Sequence, residues 1–152
     1  MTDTLATLGT VLQHAESERD QAVLLLRQAD GSARAAQGQC DQLHHYRGDY
    51  QRRWTQRFGE SGAIELLHCY RGFTLRLDQA IEQQTLIAAQ ATARAEQARA
   101  ALVQREQRVA SVRKLIERRQ AEMQLKAHRR DQKTSDESAQ RRHALHAASS
   151  GP

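Results

Sequence analysis

Residues 39–84 read QCDQLHHYRGDYQRRWTQRFGESGAIELLHCYRGFTLRLDQAIEQQ, and this stretch decides the fold. It contains both cysteines and all six tyrosine, tryptophan and phenylalanine residues of the chain. Near its middle lies Gly59-Glu60-Ser61-Gly62, which is the strongest turn signal in the sequence. We therefore predict that the stretch forms the closed end of a helical hairpin, with a turn near residues 59–62.

The segment before this turn carries the repeat of a coiled coil. Positions spaced alternately by three and four residues are Leu5, Leu8, Leu12, Ala15, Arg19, Ala22, Leu26, Ala29, Ala33, Ala36, Cys40, Leu43, Arg47, Tyr50 and Trp54. All except the two arginines are apolar or aromatic, which is typical of a coiled-coil seam. Gly31, Gly38 and Gly48 weaken a helix, but the pattern runs through all three. We predict one helix over about residues 4–57.

A second repeat follows the turn. Its positions are Tyr70, Thr74, Leu77, Ile81, Gln84, Ala88, Ala91, Ala95, Ala98, Leu102, Arg105, Val109, Val112, Ile116, Arg119 and Met123. Ser61 or Gly62 can cap this helix, which we predict over about residues 63–143, before a disordered tail at 147–152. Two such helices joined by a short turn should pack antiparallel, within a single domain over residues 1–146.

The register of the hairpin can be tested by arithmetic. If the turn is centred on Gly62, each residue before Gly62 faces the residue that lies the same number of positions after it. With this pairing, every position of the first repeat faces a position of the second repeat. Trp54 faces Tyr70, and an alanine block at 29–36 faces another at 88–95. The polar positions Arg19 and Arg105 also coincide, which predicts a hydrated layer with Glu18 and Glu106 nearby.

Composition supports an all-α fold without a large globular core. Of 152 residues, 4% are aromatic and 27% are charged, and the only proline is Pro152. Abundant alanine, glutamine, glutamate, arginine and leucine are typical of long helices and coiled coils. The formal net charge of +5 is compatible with nucleic acid, an anionic membrane surface or an acidic protein partner, and does not choose among them.

Several classes of function lack their sequence signals. There is no glycine-rich phosphate loop, no zinc-ligand spacing and no nucleophile elbow, so we predict a non-enzyme without cofactor or metal. His143 and His146 fit a solvated helix face better than a metal site. No apolar run reaches the ~18 residues of a membrane span, and the first residues are not signal-like. We expect a cytoplasmic protein with free thiols at Cys40 and Cys69.

Two strips of residues predict a partner-binding surface near the turn. One consists of Gln39, Leu43, Tyr46 and Tyr50, and the other of Phe73, Leu77, Ala80 and Gln84, both with spacing i, i+4, i+7, i+11. Antiparallel pairing places both on one flank of the hairpin, one step from the seam. Tyr46 and Phe73 lie off the seam positions, where two helices offer no third layer to bury them. Clustered exposed aromatic residues usually mark an interface, although these side chains could simply seal the coiled coil.

The C-terminal part of the second helix is basic and has no partner helix beyond about Gln120. Its cations include Arg118, Arg119, Arg129 and Arg130, interleaved with acidic residues. This pattern fits a solvated helix with i,i+4 ion pairs or a basic arm for an acidic partner. Nucleic acid is less favoured, because no aromatic residue interleaves the cations for base stacking.

The chain resembles the family of flagellar export proteins FliJ. The resemblance is carried by QLHHYRGDYQRR (42–53), by CYRGFTLRLDQAIEQQ (69–84) and by RRDQKTSDESAQRR (129–142). It implies a non-enzymatic antiparallel coiled coil in the flagellar type III export apparatus, peripheral to the inner face of the cell membrane through its partners. The implied partners are the hexameric export ATPase FliI, the cytoplasmic domain of the export gate protein FlhA, and export chaperones that the protein recycles.

The resemblance also implies roles for the residues above. The gate-binding positions of the family fall on the two strips, with Gln84 in place of a histidine sometimes found there. The open end of the hairpin, with Arg118, Arg119, Arg129 and Arg130, would contact the ATPase. Two alternatives stay open at this point: the equivalent stalk protein of a virulence-type secretion system, and a basic coiled-coil adaptor or nucleic-acid-binding protein.

Overall fold

The computed structural model describes residues 2–60 and 64–151, and this part of the chain forms two α-helices. Helix α1 spans Thr2–Glu60 and helix α2 spans Ile64–Ser149. The predicted all-α hairpin is confirmed, because Glu18 in the first third of α1 contacts Arg105 near the middle of α2, and the aromatic ends of the two helices pack together. The predicted cap at Ser61 or Gly62, and part of the predicted turn, lie outside the described residues.

The helix bounds differ from the prediction mainly at the C-terminal end. Helix α1 is continuous through Gly31, Gly38 and Gly48, as the unbroken repeat predicted. Helix α2 continues to Ser149 rather than ending near 143, so residues 147–149, expected to be disordered, are helical. The sequence there is rich in alanine and contains neither glycine nor proline before Gly151, so nothing stops the helix earlier.

The packing of the helices divides into two compact units, and the single domain over residues 1–146 stays a prediction. One unit is Ser17–Glu106 and contains the aromatic end. The other combines Met1–Glu16 with Gln107–Pro152.

The core of the Ser17–Glu106 unit is thin and made largely of small side chains. Ala36, Ala88 and Ala91 form a buried cluster, and Ala33 packs against it. The predicted alanine block is thereby confirmed. The other buried side chains of this unit are Ala22, Cys40, Leu77, Ile81 and Ala95. Because alanine adds only one methyl group, the two backbones can approach closely at this level.

Ion pairs between the helices mark the register of the same unit. Arg105 Nη1 lies 2.8 Å from Glu18 Oε2, so Glu18 lies beside Arg105 as the sequence predicted. Arg19 instead contacts Asp20 of its own helix, at 3.1 Å. Arg47 Nε lies 2.6 Å from Asp78 Oδ1. Such partly exposed pairs contribute about 0–1 kcal/mol each, so they specify alignment more than they stabilise the fold.

The second unit pairs the start of α1 with the second half of α2. Ala15 and Val109 are its most buried side chains, at 1% and 2% exposure. Arg113 Nη2 donates to Glu16 Oε1 at 3.1 Å. Leu5 lines a small cavity of about 40 Å³ together with Met123 and Lys126, so contact with α1 reaches a few residues beyond the predicted limit at Gln120. From residue 124 to residue 151, every side chain except Ser138 is exposed.

Candidate partner-binding site

Tyr50 is the centre of the aromatic end of the hairpin. Its ring centroid lies 4.3 Å from that of Phe73, 5.8 Å from Trp54, 5.9 Å from Tyr70 and 6.3 Å from Tyr46. Aromatic pairs at these distances contribute about 0.5–1.5 kcal/mol beyond the area that they bury. Tyr50, Trp54 and Tyr70 therefore close the coiled coil, as their seam positions predicted.

The cluster continues toward the end of α1. The Phe58 ring lies 5.3 Å from Trp54 and 5.7 Å from Tyr70. The guanidinium carbon of Arg57 lies 5.9 Å from the Trp54 ring centroid, which is within the range of a cation–π interaction. All six aromatic residues therefore belong to one connected set of ring contacts.

Tyr46 and Phe73 lie at the edge of this cluster, and the structure separates them by exposure. Tyr46 is 46% exposed, as its position off the seam predicted. Phe73 is half-buried, so its side chain is less exposed than the sequence predicted. The reason is local: Tyr50 covers one side of the ring, and Tyr46 approaches its edge at 6.3 Å. The two residues nevertheless form one continuous ring surface across α1 and α2.

The other predicted strip residues have different environments. Gln84 Nε2 donates to Gln39 Oε1 and to the Ala36 carbonyl, both at 3.1 Å, so the predicted Gln39–Gln84 pairing is present. The remaining members, Leu43, Leu77 and Ala80, range from half-buried to buried. Leu77, at 7% exposure, lies in the core and presents almost no surface. The accessible part of the strip is thus centred on Tyr46, with Gln39 exposed at one end.

Arg53 and Arg57 lie next to the strip, and the sequence prediction of the binding surface did not include them. An open groove of about 460 Å³ is lined by Tyr46, Tyr50, Arg53, Trp54, Gln56 and Arg57. The signal was present in the sequence, because the three–four spacing of Gln39, Leu43, Tyr46 and Tyr50 continues to Arg53 and Arg57.

The predicted basic contact residues lie on the exposed part of α2. Arg118, Arg119, Arg129 and Arg130 are all exposed. Arg119 Nη1 lies 3.9 Å from Glu122 Oε2, which is a loose pair on one helix. The structure therefore leaves these guanidinium groups accessible.

The described ranges contain neither a candidate group of metal ligands nor a candidate membrane span. Residues 2–60 and 64–151 include no group of three or more histidine, cysteine or acidic side chains placed to hold a metal ion. Neither described helix has a stretch apolar and long enough to cross a membrane. Cys40 is buried, with its Sγ 3.6 Å from Thr85 Oγ1, and Cys69 is exposed; both are free thiols, as predicted.

Comparison with known proteins extends over both helices. A family model described as "Flagellar FliJ protein" matches residues 4–148. A Salmonella typhi protein of the same description is 31% identical over 134 residues, which cover 88% of this chain and 91% of that protein. No solved structure gives a significant match. The similarity thus includes the aromatic end and the basic part of α2.

Proposed function

Because this chain belongs to the flagellar FliJ family, we propose that it is a mechanical link in the flagellar protein export apparatus, with the export ATPase FliI and the export gate protein FlhA as its partners. Membership in the family supports a component of flagellar export and fits a protein without catalytic activity. The family that matches is a flagellar one, which favours this role over the stalk of a virulence-type system. Recycling of export chaperones is part of the same proposal.

One observation carries the assignment of the gate site: Tyr46 is 46% exposed although it belongs to a packed aromatic cluster. A half-exposed tyrosine held by neighbouring rings loses little side-chain entropy when a partner covers it. Rigid aromatic residues of this kind are enriched among those that dominate binding energy. We therefore assign FlhA to the surface formed by Tyr46, Phe73 and their strip neighbours.

The ATPase contact is assigned to the exposed basic part of α2. Arg118, Arg119, Arg129 and Arg130 offer guanidinium groups that can form two parallel hydrogen bonds to a carboxylate. An acidic surface on the ATPase would complement them. In this proposal the protein is cytoplasmic and reaches the inner face of the membrane only through its partners, and it binds no nucleic acid.

The gate assignment is tested by replacing the exposed ring of Tyr46 together with the half-buried ring of Phe73. Tyr46→Ala with Phe73→Ala should weaken binding to the cytoplasmic domain of FlhA by roughly 30-fold or more, as expected when a residue pair at the centre of an interface is truncated. Isothermal titration calorimetry measures the affinity, and circular dichroism checks that the helices remain.

The matched control is Leu24→Ala with Leu25→Ala, which removes two α1 side chains that are 58% and 61% exposed and lie outside the strip. Binding should be unchanged in this control. Normal affinity of the Tyr46/Phe73 variant would rule out the proposed gate site.

A further inference from the structure

The strip on α1 continues past its aromatic residues into two cations. Tyr46, Tyr50, Arg53 and Arg57 follow one another at intervals of four, three and four residues, which keeps them on one face of a helix. Both arginines are exposed. The accessible surface around Tyr46 therefore acquires a positive end that points along α1 toward its C-terminus.

The groove next to the strip holds these cations beside aromatic rings. Arg53 and Arg57 line the groove with Tyr46, Tyr50 and Trp54, and Arg57 lies over the Trp54 ring at 5.9 Å. A guanidinium group on an aromatic face keeps its charge while losing some of its freedom, so it is partly organised for a ligand. Within the described part of the chain, the residues that line this groove include no carboxylate.

The nearest acidic residue on the preceding turn is already engaged. Asp49 forms an ion pair with Arg52, and its Oδ2 lies 3.4 Å from His45 Nε2. It therefore does not supply the carboxylate that Arg53 and Arg57 would otherwise meet within α1. Among the described side chains, no carboxylate forms an ion pair with Arg53 or Arg57, so their charge is available to a ligand.

The opposite end of the strip has a different chemistry. There the Gln39 and Gln84 amides bond to each other at 3.1 Å and carry no charge. Between the two ends lie the rings of Tyr46, Tyr50 and Phe73. The surface thus runs from neutral amides through aromatic rings to guanidinium groups, and this order gives it a direction.

We propose that the strip binds a partner segment that is apolar in its centre and carries aspartate or glutamate at the end that lies over Arg53 and Arg57. The occupant is a protein segment of this chemistry, because charge complementarity requires carboxylates at one end only. Arginine matches a carboxylate with two parallel hydrogen bonds, and the adjacent rings accept the apolar centre. The inference rests on the proposed function only in taking the strip as a docking surface. It adds the chemistry of the docked segment, namely an apolar centre and an acidic end over Arg53 and Arg57.

Three labelled peptides test this polarity on the full-length chain. They share one apolar centre of leucine and phenylalanine and end in a pair of aspartates, a pair of asparagines or a pair of lysines. Fluorescence anisotropy at low salt measures binding, since charge interactions at exposed sites are screened as salt rises. The aspartate peptide should bind roughly tenfold tighter than the asparagine peptide, and the lysine peptide weakest. Arg53→Glu with Arg57→Glu should invert that order.

The control is Arg27→Glu with Arg34→Glu, which makes the same charge change at exposed α1 positions away from the groove and should keep the original order. Equal affinities, no binding of any peptide, or an order unaffected by the Arg53/Arg57 reversal would overturn the proposal. Light scattering provides a further check on whether the chain forms a dimer. A dimer that is lost in the Arg53/Arg57 variant would show that a second copy of the chain occupies the strip, and this result would also overturn the proposal.

The outcome is separable from that of the gate experiment. Loss of gate binding in the Tyr46/Phe73 variant, without any peptide preference, would retain the proposed function and reject the acidic segment. A clear preference for the aspartate peptide, with unchanged gate binding in the Tyr46/Phe73 variant, would retain the acidic segment and reject the proposed gate site.

Discussion

Thr74 is a polar residue in a seam that is otherwise closed by rings and aliphatic side chains. Its Oγ1 is buried and has no hydrogen-bond partner among the residues that the structure describes. An unpaired buried hydroxyl costs about 1–3 kcal/mol. A single residue thus reduces the stability of the aromatic end.

Thr74→Val should raise the free energy of unfolding by about 1 kcal/mol, because valine keeps the branched shape and removes the unpaired hydroxyl. Urea unfolding followed by circular dichroism measures the change. The control is Thr85→Val, since Thr85 Oγ1 donates to the Ile81 carbonyl at 2.8 Å and lies 3.6 Å from Cys40 Sγ. That substitution should not stabilise the protein. A loss of stability in Thr74→Val would contradict this account of its hydroxyl.

For individual residues, the sequence predicted which side chains lie in the seam better than it predicted how exposed each side chain is. The three–four spacing identified Tyr50 and Trp54 as closing residues and Tyr46 as exposed, and the structure agrees. It overestimated the exposure of Phe73 and did not extend the surface to Arg53 and Arg57. The exposure of Phe73 depends on how neighbouring rings tilt against one another, and a heptad position does not specify a rotamer.

At the scale of the helices, the alanine block is the main constraint on how closely α1 and α2 approach. Ala36, Ala88 and Ala91 are at most 8% exposed and pack in one cluster. A larger side chain here must push the backbones apart or adopt a strained rotamer. Small residues on both helices are therefore required at the same level of the Ser17–Glu106 unit.

Ala36→Leu should lower the free energy of unfolding by about 1–3 kcal/mol through overpacking. The neighbouring substitution Ala35→Leu, at an exposed position of the same helix, adds the same atoms to the surface and should change stability by less than about 0.5 kcal/mol. Chemical unfolding of both variants separates packing from helix propensity. Equal effects of the two substitutions would show that the alanine block is not tightly packed.

The architecture of the helices could be derived from the repeat almost completely. Matching the alanine positions of the two repeats predicted the register, and the Ala33, Ala36, Ala88 and Ala91 cluster confirms it. The end of α2 could not be derived, because the residues near His143 neither favour a stop nor contain a breaker. Where no cap or breaker is present, the end of a helix depends on small differences in propensity that a pattern does not resolve.

At the scale of the whole molecule, the two proposed contact sites belong to different compact units. The aromatic strip lies within Ser17–Glu106, and Arg129 and Arg130 lie within the unit that contains Gln107–Pro152. Substitutions without shared neighbours usually act independently. A protein that links two partners should therefore lose one of them at a time.

We propose that the ATPase contact stimulates ATP hydrolysis by FliI. Arg129→Glu with Arg130→Glu should then abolish most of this stimulation while leaving the affinity for the FlhA cytoplasmic domain unchanged. The physical reason is that reversing two exposed cations replaces attraction to an acidic partner with repulsion at that surface only. Phosphate release by the ATPase and calorimetry with the gate domain measure the two effects. The Tyr46/Phe73 variant should give the opposite result, and Arg27→Glu with Arg34→Glu should affect neither. A link requires that each partner depend on its own surface. The separation of the two contacts would therefore be wrong if either variant lost both partners, or if the Arg129/Arg130 variant still stimulated the ATPase.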